Sequence, residues 1–209
     1  MESKLTLLYV DGVWGMYLYA SMFATRAQGR NDLANEANRV YNFKKYGTNE
    51  AEIAAAIRAI ANHFECGQIV AVPGHTTAPN RLQTIFGATL RRTSDVPSRK
   101  YNHGAEISYV LYAASLECDR IEPERILVVD DICTTGKTLA FYAKYFKARR
   151  KKPTLLAVGI NHKMKPHESS HVVEWASDRQ GSETPPDIPG EDVNQFLRRM
   201  RNDFDLTNI

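Results

Sequence analysis

Short apolar runs alternate along this chain with segments whose apolar residues recur at helical spacing. The runs predict strands over residues 5–10, 68–72, 88–91, 125–129 and 154–160. The helical spacing predicts helices over residues 49–64, 81–86, 105–116 and 138–148. This alternation is typical of an α/β protein with a mainly parallel sheet and helices on both of its faces.

The predicted helix over 49–64 has the clearest local signals. Asn49 followed by Glu52 forms a capping-box pattern at its start. One helical face then collects the apolar positions Ile53, Ile57, Ile60 and Phe64. The ends of the chain are less regular. Residues 11–48 are rich in aromatic side chains, 163–174 are polar, 181–190 form a proline-containing linker, and 191–203 have the pattern of an amphipathic helix.

Composition is that of an ordinary globular protein. Hydrophobic residues make up 43% and charged residues 24% of the 209 positions, and the net charge is +3. No apolar run is long enough to cross a bilayer, and the first residues lack the layout of a secretory signal. The three cysteines stand at unrelated spacings, which disfavours a disulfide framework or a structural zinc site. We therefore expect a cytoplasmic protein that has no membrane partner.

The most informative segment is residues 126–138, which read I-L-V-V-D-D-I-C-T-T-G-K-T. Four apolar residues predict a buried strand that leads into two carboxylates, Asp130 and Asp131. The hydroxyl- and glycine-rich loop and the helix that follow offer backbone N–H groups to an anion. Carboxylates suit sugar hydroxyls or a metal ion. A ligand that needs both features at once is a phosphorylated sugar.

Two other interpretations of this segment are open. Gly136-Lys137-Thr138 is the second half of a P-loop, but Asp131 stands where the first P-loop glycine belongs. The segment also fits a strand that ends in solvated acids, followed by a helix capped at Thr134 or Thr135. Two adjacent acids at the end of a buried strand make this second interpretation less favoured.

The same string resembles the phosphoribosyl pyrophosphate (PRPP) signature of the type I phosphoribosyltransferases. The resemblance implies a twisted, mainly parallel sheet flanked by helices, with a small variable hood, and a Mg²⁺-dependent glycosyltransferase of nucleotide metabolism. It implies that Asp130 and Asp131 are catalytic, holding the ribose hydroxyls directly or through Mg²⁺ and water. The implied binding site for the 5′-phosphate consists of Cys133, Thr134, Thr135, Gly136, Lys137 and Thr138.

Further segments resemble the branch of this family typified by the competence protein ComF. Residues 69–75 read I-V-A-V-P-G-H, and residues 91–105 contain R-R-T, then P-S-R-K, then N-H-G-A. The segment F-K-K-Y-G at 43–47 is similar to the K-Y-x-G element of that branch. Three departures stand out: the cysteine-rich zinc module is absent, Ser98 replaces a glutamine, and the R-G-F-N-Q segment is missing.

The resemblance assigns roles around the pyrophosphate of PRPP. Pro73, Gly74, His75 and Arg91 would bind it, and Arg99 and Lys100 would be catalytic residues of a flexible loop. The alternatives are a simple strand-to-helix turn at 73–75 and a basic surface loop at 99–100. The chain would form a single domain with a variable N-terminal part (1–48), a core (49–162) and a variable C-terminal extension (163–209).

The predicted function is phosphoribosyl transfer between PRPP and a nitrogenous base or nucleotide. The alternative is a non-catalytic PRPP- or nucleotide-binding regulatory protein of the same fold. A nucleic-acid partner is the least favoured, because the basic run Lys147, Arg149, Arg150, Lys151 and Lys152 suits a solvated helix end. Dimers are common in the family, so a homodimer is compatible with the resemblance. The acceptor base stays open.

Overall fold

The computed structural model describes residues 2–19, 31–74, 76–95, 113–161 and 167–176. Eight strands lie in these ranges: β1 Glu2–Val10, β2 Val13–Tyr19, β3 Gln68–Ala71, β4 Leu90–Arg92, β5 Leu116–Cys118, β6 Arg125–Cys133, β7 Lys152–Asn161 and β8 His167–Ala176. The same ranges contain four helices: α1 Asn31–Tyr46, α2 Glu50–His63, α3 Arg81–Phe86 and α4 Lys137–Lys147.

The main sheet has six strands in the order β3-β6-β7-β2-β1-β8. The first four strands run parallel to one another. β1 is antiparallel to both of its neighbours, β2 and β8. β4 and β5 form a separate antiparallel pair. The prediction of an α/β protein with a mainly parallel sheet is confirmed.

The core is divided between the two faces of this sheet. Side chains alternate along β6, so Leu127 and Val129 pack with α1 and α2, while Ile126 and Val128 pack with α4. All four are completely buried. A strand covered on both faces reads as a continuous apolar run, which is why residues 126–129 show no polar alternation.

A hairpin joins β1 to β2 within the part of the chain for which the sequence pattern left the structure open. Asp11 and Gly12 both have positive φ, 49° and 85°. They connect the paired residues Val10 and Val13. Two successive positive φ angles are the signature of a type I′ turn, for which Asp-Gly is a preferred sequence. The dipeptide was therefore the signal from which this hairpin could have been predicted.

The helix predicted over 49–64 is present as α2, but its capping box is wrong. Asn49 adopts a left-handed conformation (φ 61°), and its side chain makes no capping hydrogen bond. Glu52 instead pairs with Arg39 of α1 at 3.5 Å. The short connection from α1 to α2 needs positive φ at Gly47 (φ 76°) as well as at Asn49. Asn49 is thus kept from the extended geometry that side-chain capping requires.

A capping box does form at the start of α3. Asn80 accepts a hydrogen bond from the Gln83 N–H at 2.9 Å, and the Gln83 side chain accepts one from the Asn80 N–H at 3.2 Å. Asn80 is also extended (φ −81°, ψ 177°), the usual conformation of an N-cap. α3 itself has the bounds that the sequence pattern predicted.

Several other boundaries differ from the predicted ones. β6 continues to residue 133 rather than ending at 129, β7 covers 152–161, and residues 116–118 are a strand instead of a helix end. The polar segment 163–174 contains most of β8, whose backbone pairs with β1 at the edge of the sheet. Edge pairing of this kind depends on a partner distant in the chain, which a local pattern does not reveal. Residues 105–112 of the helix predicted over 105–116, and the helix predicted over 191–203, lie outside the described residues.

Candidate functional site

The two acids lie where β6 extends beyond the end of its neighbour β3. Pairing of β3 with β6 ends at Val129, whose carbonyl also accepts a hydrogen bond from the Val72 N–H at 2.8 Å. β6 continues through Asp130 and Asp131 while paired only with β7 among the described strands. One edge of β6 is therefore not covered by β3 beside the acids. In an open α/β sheet, ligands bind at such carboxyl ends of parallel strands.

The two carboxylates have different surroundings. Strand alternation places Asp130 on the α4 side with Val128, and Asp131 on the side of α1. Asp130 Oδ1 accepts a hydrogen bond from the Asp131 N–H at 2.8 Å. Lys44 Nζ, in the last turn of α1, lies 2.9 Å from Asp131 Oδ2. Asp131 thus has a cationic partner, whereas Asp130 is held by a backbone group.

Burial raises the pKa of the Asp130 carboxyl to about 8, and the nearby negative charge of Asp131 adds to this effect. The Asp131 N–H and Lys44 oppose the rise without cancelling it. Like charges this close resist simultaneous ionisation, so the Asp130 carboxyl holds its proton to a higher pH than an isolated aspartic acid does. A neutral carboxyl can donate a hydrogen bond as well as accept one. A bound cation would reverse this preference and favour both carboxylates.

The connection from β6 to α4 consists of residues 134–136 only. Gly136 is the N-cap residue of α4, with φ 70°, and no side chain caps the helix. A cap by Thr134 or Thr135 is therefore not what the structure has. Because the first-turn N–H groups of a helix have no partner within it, those of Lys137 and Thr138 point toward the space beyond the helix end. This is a favourable geometry for an anion.

The same connection disfavours a P-loop. Residue 131, where the first glycine of that motif would stand, lies inside β6 rather than in a loop. Three connecting residues are too few to wrap around a phosphate chain as that motif does.

Cys133 is the last residue of β6, directly before the connection 134–136. Its side chain is buried, and burial raises the pKa of the thiol to about 11, while a hydrogen bond from the Gly136 backbone N–H opposes the rise. The thiol is thus neutral at physiological pH. Cys133 belongs to the 133–138 segment as a packing residue, whereas Thr134, Thr135 and Lys137 are exposed.

The turn at Pro73 and Gly74 follows β3 and so lies next to the acid end of β6. Asn80 fixes the start of the turn by donating from Nδ2 to the Val72 carbonyl at 2.7 Å. A Cβ atom at Gly74 would meet its nearest neighbour, Asn80 Cβ, at 3.7 Å, an ordinary contact. Packing within the protein therefore does not by itself require glycine at this position.

Arg92 reaches this turn, and Arg91 does not. Arg92 is buried and donates from Nη1 to the Gly74 carbonyl at 3.4 Å. The exposed side chain of Arg91 pairs with Asp119. Adjacent residues of a strand point to opposite faces, and the sequence did not indicate which arginine of the pair faces inward. His75, Arg99 and Lys100, the other residues assigned to the pyrophosphate, lie outside the described residues.

Tyr19, at the end of β2, is electrostatically coupled to Asp131. Burial raises the pKa of its hydroxyl to about 12, with smaller contributions from Tyr41 and Asp131. Tyr19, Tyr41 and Lys44 all lie within residues 11–48, for which the sequence pattern predicted no definite helix or strand. Lys44 stands in the 43–47 segment similar to the ComF branch, which was the only signal for its involvement.

Among the described residues, no group of three or more His, Cys, Asp or Glu side chains is arranged to hold a metal ion. Two carboxylates are nevertheless enough for Mg²⁺, which commonly binds one or two protein carboxylates together with phosphate oxygens and water. The acid pair therefore fits a magnesium ion that arrives with a phosphorylated ligand.

The basic run after α4 is largely used in local contacts. Lys152 pairs with Glu124 at 2.7 Å, and Lys151 donates to the Glu122 carbonyl at 3.0 Å. The Arg149 guanidinium lies 3.6 Å from the centre of the Tyr145 ring. Three of the five residues of the run therefore make local contacts in the structure.

No protein-family model matches the chain, and no curated protein matches it either. No helix in the described ranges is long and apolar enough to cross a membrane.

Proposed function

We propose that the protein is a phosphoribosyltransferase that binds PRPP with Mg²⁺ at the carboxyl end of β6. The observation that carries this proposal is one continuous unit of strand, three-residue connection and helix. This unit places two carboxylates and a helix start without a side-chain cap close together, at the carboxyl end of the parallel strands. Few ligands need both hydroxyl-binding acids and an anion site so close together, and a ribose 5-phosphate group is one of them.

In this proposal Asp130 and Asp131 hold the two ribose hydroxyls. Asp131, which is paired with Lys44, would accept a hydrogen bond from one hydroxyl. The raised pKa of Asp130 favours its protonated form, so Asp130 could either donate to a hydroxyl oxygen or release the proton when a cation arrives. Fixing the ribose in this way would position its anomeric carbon for displacement.

The 5′-phosphate would lie against the connection 134–136 and the first turn of α4. The N–H groups of Lys137 and Thr138 supply hydrogen bonds, and the exposed hydroxyls of Thr134 and Thr135 lie beside them. Gly136 supports this assignment, because its left-handed conformation turns the chain sharply into the helix without a side chain at the cap.

The pyrophosphate would extend toward the turn at Pro73 and Gly74, with His75, Arg99 and Lys100 as the assigned partners. Arg91, which the sequence also assigned to it, pairs with Asp119 and is not part of this proposal. Arg92 supports the turn from behind through the Gly74 carbonyl. When bound, Mg²⁺ would neutralise charge on the leaving pyrophosphate. The protein's own contribution is to hold the ribose and to direct cations and N–H groups at the charge that grows during displacement.

Calorimetric titration with PRPP, with and without Mg²⁺, tests the binding site. We expect Mg²⁺-dependent binding to the wild type and its loss in the Asp130→Asn/Asp131→Asn double variant. Asp119→Asn is the matched control, because Asp119 is an exposed acid paired with Arg91 on β4. Equal PRPP affinity in the double variant and the control would refute the assignment of the acid pair.

Phosphorus NMR then distinguishes an enzyme from a regulatory binding protein. Pyrophosphate release that depends on the presence of a purine or pyrimidine would establish transfer and identify the acceptor class. Binding without release for any base would favour the non-catalytic alternative.

A further inference from the structure

The Lys44–Asp131 pair occupies the place that a metal ion would take. Lys44 Nζ lies 2.9 Å from Asp131 Oδ2, and this distance leaves no room for a cation between the two atoms. Asp131 has only 24% of its side chain exposed, so loss of a counterion there would leave a carboxylate poorly solvated. In the free protein, Lys44 therefore compensates the negative charge of Asp131, as a bound cation would do in its place.

Lys44 is also placed so that it can leave. Its side chain is 51% exposed, and it projects from the last turn of α1, where the helix dipole favours a cation. An ion pair this exposed contributes little to stability, so moving Lys44 onto an incoming anion has a small cost when a metal ion takes its place at Asp131. Displacement by Mg²⁺ alone is opposed by repulsion between two cations at one carboxylate. Repulsion does not oppose displacement by Mg²⁺ that arrives together with a polyphosphate, because the phosphates offer the Lys44 ammonium group a new partner.

We infer that Lys44 is the resident counterion of Asp131 and makes metal binding at the acid pair dependent on the phosphorylated ligand. This role deepens the proposed function and rests on it only in taking Asp131 as a carboxylate that a metal ion contacts. Lys44 is a positioning residue: it acts on the metal through Asp131. As a consequence of the Lys44–Asp131 pair, the free protein should bind divalent cations weakly when no phosphorylated ligand is present.

The test uses Mn²⁺ as a paramagnetic probe in place of Mg²⁺, with the full chain and no PRPP present. Free Mn²⁺ is measured by electron paramagnetic resonance during titration. We expect weak binding to the wild type and about tenfold tighter binding to Lys44→Met, because a unit charge next to the metal has been removed. Lys44→Arg retains the charge and should bind Mn²⁺ as weakly as the wild type.

Two further variants separate a local effect from a general one. Lys45→Met removes the same charge from the next, exposed position of α1 and should leave Mn²⁺ affinity within about twofold of the wild type. Asp131→Asn combined with Lys44→Met should abolish the gain. Lys44→Gln repeats the loss of charge with a hydrophilic side chain, so the result does not depend on the solubility of one variant.

Equal Mn²⁺ affinity in Lys44→Met and Lys45→Met would overturn the inference, as would a gain that survives Asp131→Asn. These outcomes are distinct from failure of the proposed function. If Lys44→Met gains Mn²⁺ affinity but no variant binds PRPP, the counterion role stands and the ligand is a different one. If PRPP binds with Mg²⁺ while Lys44→Met behaves as the control, the proposed function stands and the counterion role is wrong.

Discussion

Replacing Asp130 with asparagine should stabilise the protein, and the gain should depend on pH. The side chain of Asp130 is half-buried next to Asp131, and its pKa is raised from an ordinary value of 3.8 to about 8. Between these two values the unfolded chain has lost the proton that the folded chain still holds. Folding stability therefore falls as the pH rises through this window, and the loss is absent below the lower value.

The size of the effect follows from the same shift. One pKa unit corresponds to about 1.4 kcal/mol, so the full shift sets an upper limit of about 6 kcal/mol above pH 8. Solvent reaches part of Asp130, and the pair shares its proton, so we expect the realised penalty to be about 2 kcal/mol. Asparagine has nearly the same shape and carries no charge, so Asp130→Asn should remove this penalty.

Urea denaturation at pH 3.5 and pH 9, followed by circular dichroism, measures the difference. The variant should match the wild type within error at pH 3.5, below the ordinary pKa of the carboxyl, and exceed it by about 2 kcal/mol at pH 9. Asp119→Asn, which replaces an exposed acid away from the pair, is the control variant. A variant that is less stable than the wild type at pH 9 would show that the folded state accommodates the Asp130 carboxylate well, and it would refute the expected penalty.

Two other substitutions test the packing around the site, both by urea denaturation at pH 7. Gly159→Ala should lower the free energy of unfolding by about 1–3 kcal/mol. The new Cβ would lie 2.8 Å from Val40 Cγ1 of α1, so that side chain or its helix would have to move away from the sheet. Gly74→Ala, whose nearest neighbour is at 3.7 Å, is the control, and equal losses in the two variants would contradict this explanation. Asn80→Ala should lose about 1–2 kcal/mol, because it removes both the capping box of α3 and the hydrogen bond to the Val72 carbonyl. Exposed Asn62→Ala should change stability by less than about 0.5 kcal/mol, and a similar loss there would show that capping is not the cause.

The existence and type of most elements could be predicted because they depend on local signals. Apolar runs mark strands that are covered on both faces, and helical spacing marks α2, α3 and α4. The wrong capping box at Asn49 shows the limit of such signals. The residue types were suitable, but the three-residue connection from α1 to α2 has a left-handed backbone at Asn49, which the residue types did not reveal.

The candidate site shows the same division. The sequence by itself determined that two acids follow a buried run and precede a glycine and a helix, since order along the chain and hydrophobicity decide this. Only the tertiary structure decided that Lys44 faces Asp131, that Arg92 and not Arg91 reaches the turn at Gly74, and that β3 stops short of the acids. These relations join residues distant in the chain. They depend on strand register and helix placement, which the summed packing of the whole core fixes and no short segment encodes.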